Sequence, residues 1–576
     1  MSIVQWREWN DETFRLAQSL DKPILLDIGA VWCHWCHVMD DGIPGDPIHT
    51  GTYSDTDVAL LIHEHYIPIK VDNDRRPDIN ARYNMGGWPT TVFLTPTGEP
   101  LYGETYVTPK RMIGLLNYVA GYYRDHKGDI AVRLAEHVDD EANSPSAAAE
   151  VPADAPSKIA AAIVESYDSQ YGGFGTEPKF PHIRALEFAV EQAEATDWDL
   201  GGIANHTLNA MAGGGTYDQF AGGFFRYSTT RDWRIPHYEK MLEDNTQLSA
   251  LCFKAAALLD DEHLAEIGRD VHQWLFNVMR DSETGTFAGS QDADKEDEYY
   301  GQPIDKRAEM PTPYIDRTVY LGWNAYMVSS LVARFKLDGD AAILEPARQL
   351  FDFLQSRVAP YHYFVDGQPQ GTVNLLADLT ALIAAALDLH DVTAEGEILH
   401  AARGWANHIL AHLTDPAGGF YDFAPDPNAI GALAKPKVDM NESADSAIAL
   451  VRLSVATGDA VYRNTAASAV KRFAAGFERW SFFGAAYGRA VAALLAPEVE
   501  VVIAGNSSHP GMVDMRHAAW QRFSHTLRVT ADTTGARYPA GPDGAPLAYV
   551  CVGTTCQAPV ADASALRETL ARVLTH

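Results

Sequence analysis

The sequence predicts a multidomain chain: an α/β unit at the N-terminus, an all-α toroid of six helical hairpins, (α/α)6, and a small α/β lobe at the C-terminus. Three observations predict it. An apolar run, Pro23-Ile24-Leu25-Leu26-Asp27-Ile28, leads into Trp32-Cys33-His34-Trp35-Cys36-His37, with Gly87-Trp88-Pro89-Thr90 further along. From about 157 to 490, apolar residues recur at helical spacing in about twelve stretches, punctuated by glycine-aromatic turns. The final stretch returns to short β-like runs and one closing helix. The boundaries are residues 1–138, a linker at 139–156, the barrel at 157–495 and the lobe at 496–576.

In the first unit, a helix near 11–19 precedes the buried strand that delivers Trp32-Cys33-x-x-Cys36 into a helix start. This is a thioredoxin-like arrangement. The first cysteine meets the free N–H groups and positive dipole end of the helix, which favour a thiolate. Two cysteines two residues apart on a first turn reach each other for a disulfide. Pro89, between Trp88 and Thr90 ahead of Thr91-Val92-Phe93-Leu94, resembles the cis-proline that faces such a pair. Asp27, six positions before Cys33, matches the buried acid that takes a proton from the resolving cysteine, here Cys36. Lys70, on Ile67-Pro68-Ile69-Lys70-Val71-Asp72, is a weaker match to the lysine accompanying that acid. The stretch from Gly42 to Tyr53 reads as a surface insertion. Helix then resumes near 55–64, strands follow near 67–71 and 91–94, and a helix from about 109 to 126 closes the unit.

Cys33-x-x-Cys36-His37 has other uses. Half a zinc site would need Cys551 and Cys556 as the second thiol pair, and c-type haem attachment needs an exported chain. Strand, tryptophan, cysteine pair and Gly-Trp-Pro-Thr agree in order and spacing for dithiol chemistry, so neither metal nor cofactor is expected. The N-terminus shows no basic-then-apolar pattern, and there is no run of eighteen or more apolar residues. A reducing cytoplasm is the expectation. Net charge is −32, from 77 acidic against 45 basic residues, which argues against nucleic acid and anionic membranes as partners. An acid-rich, lysine-poor composition also fits a salt-adapted cytoplasm.

Residues 139–156, acidic and rich in proline, serine and alanine, have linker composition. Twelve helices in six hairpins follow, and no fixed-length repeat is legible. The densest polar cluster runs from Gly213 to Asp244. Its aromatics, Trp233 among them, suit a sugar face, while Asp218, Arg226, His237, Glu239 and Asp244 supply hydrogen bonds or proton transfer. The opposing reading makes Arg226, Glu239 and Lys240 buried ion pairs bracing hairpin ends. In the first unit Trp32 and Trp88 flank the cysteines as substrate contacts. Ser290–Glu298 begins like a calcium loop but lacks glycine at the sixth position and glutamate at the twelfth. Cys551 and Cys556 form a disulfide or a peripheral thiol pair, and Cys252 on an apolar helix face belongs to the core.

Nearly the whole chain resembles the YyaL-like, spermatogenesis-associated thioredoxin-domain family. The matching stretches include Cys33-His34-Trp35-Cys36-His37-Val38-Met39, Gly86-Gly87-Trp88-Pro89, Lys179-Phe180-Pro181 and Tyr217-Asp218-Gln219. Arg226-Tyr227-Ser228, Pro236-His237-Tyr238-Glu239-Lys240-Met241-Leu242, Ser290-Gln291-Asp292-Ala293-Asp294, and Ala548-Tyr549-Val550-Cys551 with Cys556 continue the match. The resemblance implies a thioredoxin-like domain fused to a barrel similar to N-acylglucosamine and cellobiose 2-epimerases. Those enzymes use histidine acid/base pairs to move a proton beside an aldehyde; His237 is the residue that carries over. The insertion after Met39 and Asn441-Glu442-Ser443-Ala444-Asp445 depart from the family pattern. Two functions follow as expectations: a thiol–disulfide oxidoreductase acting on a protein client, and a sugar 2-epimerase-like or glycoside-processing enzyme built on His237. A non-catalytic binding protein is the third.

Overall fold

The computed structural model describes residues 2–141, 150–193, 195, 198–293, 298–356 and 359–574, without side chains for 131–141. Residues 142–149 of the expected linker and residues 294–297 of the calcium-like loop therefore lie outside the described residues. The chain divides into two compact units, Met1–Pro145 with Ala424–Lys437, and Ser146–Phe423 with Val438–His576. The segment 424–437 thus joins the first unit although sequence places it in the barrel, and the C-terminal lobe shares one unit with the barrel.

The first unit contains α1 (Asp11–Leu20), β1 (Ile24–Gly29), α2 (His34–Asp41), α3 (Thr56–His65), β2 (Ile67–Asp72), α4 (Pro77–Tyr83), β3 (Thr90–Leu94), β4 (Pro100–Glu104) and α5 (Pro109–Glu141). Its sheet has the order β2-β1-β3-β4, with β1 parallel to β2 and antiparallel to β3. All six residues of β1 are buried, as an apolar run covered on both faces requires. α5 extends beyond the expected end, with a break in helical geometry at His126. The Gly42–Tyr53 stretch is not wholly superficial: Thr52 and Tyr53 are buried, and Tyr53 packs with Leu25 and Met39. Segment 424–437 is held by Tyr83, whose hydroxyl donates to Gly98 O (2.7 Å) and accepts from Ala432 N–H (2.8 Å). Gly98, at φ +98°, lies so close to Gly431 that a Cβ there would sit 2.6 Å from its Cα.

In the second unit, six inner helices form a closed ring: α7 (Ile183–Glu191), α9 (Leu242–Leu259), α12 (Leu321–Asp338), α14 (Leu376–Thr393), α16 (Met440–Thr457) and α18 (Ala485–Leu495). Each packs on its neighbours, and α18 returns to α7. The outer partners are α8 (Leu200–Gly213), α10 (Glu262–Trp274), α13 (Leu344–Gln355), α15 (Gly396–His408), α17 (Ala460–Phe473) and α6 (Ala155–Ser166), the last against α18. Among the described residues these are the twelve helices of an (α/α)6 barrel; the one-turn α11 (Ile304–Arg307) lies outside the ring. Arg489 of α18 helps close it, donating to Glu191 of α7 at 2.9 and 2.8 Å.

The glycine-aromatic turns are one device used four times. Tyr167–Phe174, Tyr217–Phe224, Arg280–Phe287 and Thr414–Phe420 each close with a β-bridge between their ends. The aspartates at their second positions, Asp168, Asp218, Asp281 and Asp415, each accept the N–H two residues on. A side chain from a neighbouring helix then satisfies the turn. Asn245 of α9 brackets Phe224, accepting its N–H (2.6 Å) and donating to its carbonyl (2.9 Å). Asn324 of α12 does the same for Phe287 at 2.9 and 3.1 Å. Ser443 of α16 accepts the Phe420 N–H, and Thr207 of α8 that of Gly173. Unequal spacing hides this repeat in the sequence.

The lobe has the sheet order β14-β13-β15-β16, from β13 (Val499–Ala504), β14 (Leu527–Asp532), β15 (Leu547–Val552) and β16 (Thr555–Cys556). α19 (Pro510–Trp520) and α20 (Ala563–Leu574) pack on its core. No described helix is long and apolar enough to cross a membrane.

Asn324 is fully buried, so Asn324→Ala orphans both the N–H and the carbonyl of Phe287. Each such group costs about 1–3 kcal/mol, and denaturation followed by tryptophan fluorescence should show a loss of about 3 kcal/mol. A loss below about 0.5 kcal/mol, the range of neutral surface changes, would contradict the bracket.

Candidate functional site

Cys33 caps the N-terminus of α2, and its sulfur accepts the Cys36 N–H at 3.2 Å. The two cysteines are joined as a disulfide. Cys36 lies against the end of β1: a Cβ on Gly29 would sit 3.3 Å from its sulfur, a tight contact. Asp27 is two residues earlier on the same strand, and alternate residues share a face, so its carboxyl points to the side that holds Cys36. The Trp88–Pro89 peptide is cis. Trp88 meets Trp32, the residue before Cys33, edge-on at 5.7 Å. Trp32 is buried and donates to Asp74 (2.6 Å); Trp88 is half-buried and donates to Asn80 (3.2 Å). The exposed residue between the cysteines is Trp35, whose ring contacts His34, His49 and Tyr106.

Asp27 is 2% exposed. It accepts from the Tyr53 hydroxyl (3.1 Å) and pairs with Lys70 (3.2 Å), the residue opposite it on β2. Burial raises its pKa, against the opposing pull of Lys70. Lys70 also donates to Asp40 at the far end of α2 (2.9 and 2.7 Å). Burial pulls the ammonium down, but Asp27 and Asp40 outweigh it and its pKa is raised. Tyr53 and Asp40 are the members of this group that the sequence does not announce.

In the barrel, the predicted residues fall into two sets. Asp218 and Trp233 are braces. Asp218 is 2% exposed and both its oxygens are engaged, by Lys240 (2.7 Å) and by Arg307 (2.6 and 2.8 Å). Burial alone would raise its pKa; Arg307 and Lys240 bring it below the ordinary value. Burial pulls Lys240 down to about 8. Asp168 repeats the arrangement one turn earlier with Lys179 (2.6 Å) and Arg231 (2.7 and 2.9 Å). Trp233 is buried and donates to Tyr171 O (2.9 Å). The ion-pair reading therefore holds for Lys240, with Asp218 as its partner, and Arg226 and Glu239 are within ion-pair distance of each other.

Arg226, His237, Glu239 and Asp244 do come together. The short strands Tyr227–Ser228 (β5) and Pro236–His237 (β6) pair, stacking His237 on Tyr227 at 4.6 Å. His237 Nδ1 lies 3.5 Å from Glu239, and Arg226 lies 3.9 Å from the same buried carboxylate. Asp244, in the first turn of α9, is pushed up to about 6 by burial, with Arg226 opposing. Its neighbour Glu243 does not stand out in the sequence, because an acid at a helix start looks like a dipole partner. It is pushed up to about 7, by burial first and Asp244 second. Arg184 and His362 temper that shift; His362 itself pairs with Asp378 at 2.8 Å. Carboxyls that change charge near neutrality beside arginine and histidine can exchange protons with a polar substrate. A separate cavity of about 240 Å³ runs between all six inner helices, reaching Arg184, Tyr326 and Asp445 and the lobe residues Trp520 and His525. None of the predicted barrel residues lines it. Cys252 is buried in the core. No described group of histidine, cysteine and acidic residues has the arrangement of a metal site.

Residues 1–140 match the family model Thioredox_DsbH, described as a protein of unknown function, DUF255. About half of the chain is similar to spermatogenesis-associated protein 20. The Rattus norvegicus protein is 30% identical over 321 residues, covering 50% of this chain and 39% of the relative. The chain thus spans about two fifths of the length of the curated relatives it matches. Thioredoxin-T of Drosophila melanogaster is 25% identical over 135 residues, 23% of this chain and 76% of that protein. Among solved structures, cellobiose 2-epimerase from Spirochaeta thermophila is similar at 14% identity and a TM-score of 0.47, covering 59% of this chain and 95% of that one.

Removing Lys70 leaves Asp27 buried without its counter-charge. Lys70→Met should cost about 3 kcal/mol at pH 7, the scale of a broken buried pair. Asp27 is already raised above its unfolded value, so its contribution is favourable at low pH and is lost as pH rises through its folded pKa. The variant raises that pKa further. Its deficit should therefore widen as pH rises above the ordinary carboxylate range in urea unfolding, and a pH-independent deficit would contradict the pairing.

Proposed function

We propose that the N-terminal unit is a thiol–disulfide oxidoreductase. One observation carries the reading: the Cys33–Cys36 disulfide sits at the start of α2, on the face of β1 that holds Asp27. In the reduced protein the Cys33 thiolate attacks a client disulfide. A Cys33–client bond forms as the client S–S bond breaks, and the first client sulfur leaves with a proton from solvent. Cys36 gives its proton to Asp27 and attacks the Cys33 sulfur. The intramolecular disulfide forms, the second client sulfur departs as a thiolate that takes a proton from solvent, and Asp27 returns its proton to solvent. A dithiol donor returns the pair to its reduced state.

Asp27 suits this role because its raised pKa lets it hold a proton without leaving the fold. Trp35, exposed between the cysteines, and Trp88, next to Pro89, supply apolar surface to an extended client segment.

Cys33→Ser should abolish reduction of insulin disulfides by dithiothreitol beyond the uncatalysed rate. Cys36→Ser should instead accumulate a mixed disulfide on Cys33, visible by mass spectrometry. Retained turnover in Cys33→Ser would refute the proposal.

A further inference from the structure

The C-terminal lobe carries a second sulfur pair that this chemistry does not use. Cys551 on β15 and Cys556 on β16 are joined as a disulfide and stand directly opposite each other in antiparallel register. A two-residue turn, Gly553-Thr554, connects the strands, and β16 is the sheet edge.

Four features separate this bond from a structural staple. The loop it closes is very short, and a cross-link stabilises less as its loop shrinks. β15 is already fixed along its whole length by β13 and by Ala548 and Val550 in the lobe core. The two sulfurs are also unequally accessible: Cys556 is exposed, whereas Cys551 is 5% exposed. An incoming thiolate meets Cys556 and expels Cys551. Finally, the Tyr538 hydroxyl lies 3.6 Å from both sulfurs. Its ring stacks on Tyr549 at 4.3 Å, and the Tyr549 hydroxyl is tied to Pro539 O at 2.9 Å. A disulfide sulfur has no proton to donate, so the phenol O–H points its hydrogen at the place where a leaving thiolate gains charge.

We propose that Cys551–Cys556 is a second exchangeable disulfide, one that accepts two electrons from a dithiol. The dithiol's first thiolate attacks Cys556 Sγ; a new S–S bond forms as the Cys551–Cys556 bond breaks, and Cys551 leaves as a thiolate hydrogen-bonded by Tyr538. The second thiol loses its proton and attacks the dithiol sulfur bound to Cys556, which departs as a thiolate. The dithiol has become a disulfide, the lobe holds two thiols, and the two protons released by the dithiol end on Cys551 and Cys556. This site does not rest on the reading of Cys33 and Cys36.

The test uses the full chain carrying Cys33→Ser and Cys36→Ser, so failure of one proposal leaves the other standing. The folded protein is equilibrated in reduced and oxidised glutathione mixtures, quenched in acid, alkylated and mapped by mass spectrometry. Cys551 and Cys556 should convert together within the accessible range of mixtures, with any trapped glutathione on Cys556. In dithiothreitol, Tyr538→Phe should slow reduction about tenfold, the scale of one hydrogen bond to a developing charge, at an unchanged melting temperature. A bond that resists excess dithiothreitol until the chain unfolds is a staple and overturns the proposal. So does a pair that stays reduced in every mixture, and an unchanged rate in Tyr538→Phe removes the role given to that residue.

Discussion

A carboxyl group in the middle of a fully buried strand is the constraint on which the N-terminal unit depends. Asp27 lies between β2 and β3 with almost no exposure. An ionised carboxylate in such a place costs several kcal/mol unless it is paired. Lys70 supplies the pair from the position opposite, which ties the β1–β2 register to an electrostatic requirement. The same ammonium reaches Asp40, so the helix that begins at Cys33 is fastened to the sheet near its other end. Tyr53 completes the group from a segment that otherwise runs on the surface. The charge that organises the packing is thus the group whose raised pKa the proposed proton transfer uses.

The barrel meets a related problem with neutral groups. Every hairpin that turns back toward the ring exposes backbone N–H and C=O groups at a place where helices close over them. Asn245 and Asn324 each answer with one acceptor and one donor on the same residue, and Ser443 and Thr207 with an acceptor alone. Where a lysine is buried as well, in the first two turns, an aspartate and an arginine surround it. The polar density between Gly213 and Asp244 therefore has two sources. Part is bracing, and part, around Arg226, His237, Glu239 and Asp244, is open to another use.

Much of the first site is legible in the sequence because its geometry is local. A strand period of two, a helix start and a proline place Asp27, Cys33, Cys36 and Pro89 without tertiary information. Tyr53 is not legible, since one buried aromatic in an irregular segment leaves no periodic trace. Asp218 and Trp233 look like ligand contacts in sequence because proximity along the chain does not say which way a side chain points; Arg307, the partner that engages Asp218, is remote in sequence. His362 and Asp378 come from a hairpin and an inner helix, and nothing in their separation announces the pair. Segment 424–437 carries a turn-rich composition that fits any surface, so its place against Tyr83 and Gly98 is visible only in the fold. By contrast, α19 carries a pattern legible in the sequence: Met512, Met515 and Ala519 follow its buried face.

The reading stands or falls on whether Cys33 and Cys36 exchange electrons as a unit. The most direct measurement is a redox titration of the full chain in glutathione or dithiothreitol buffers, with each cysteine alkylated and mapped by mass spectrometry. The account predicts that Cys33 and Cys36 titrate together as one two-electron couple, about −200 to −270 mV as for known oxidoreductases. Cysteines that stay reduced at every potential, or that titrate independently, would contradict it.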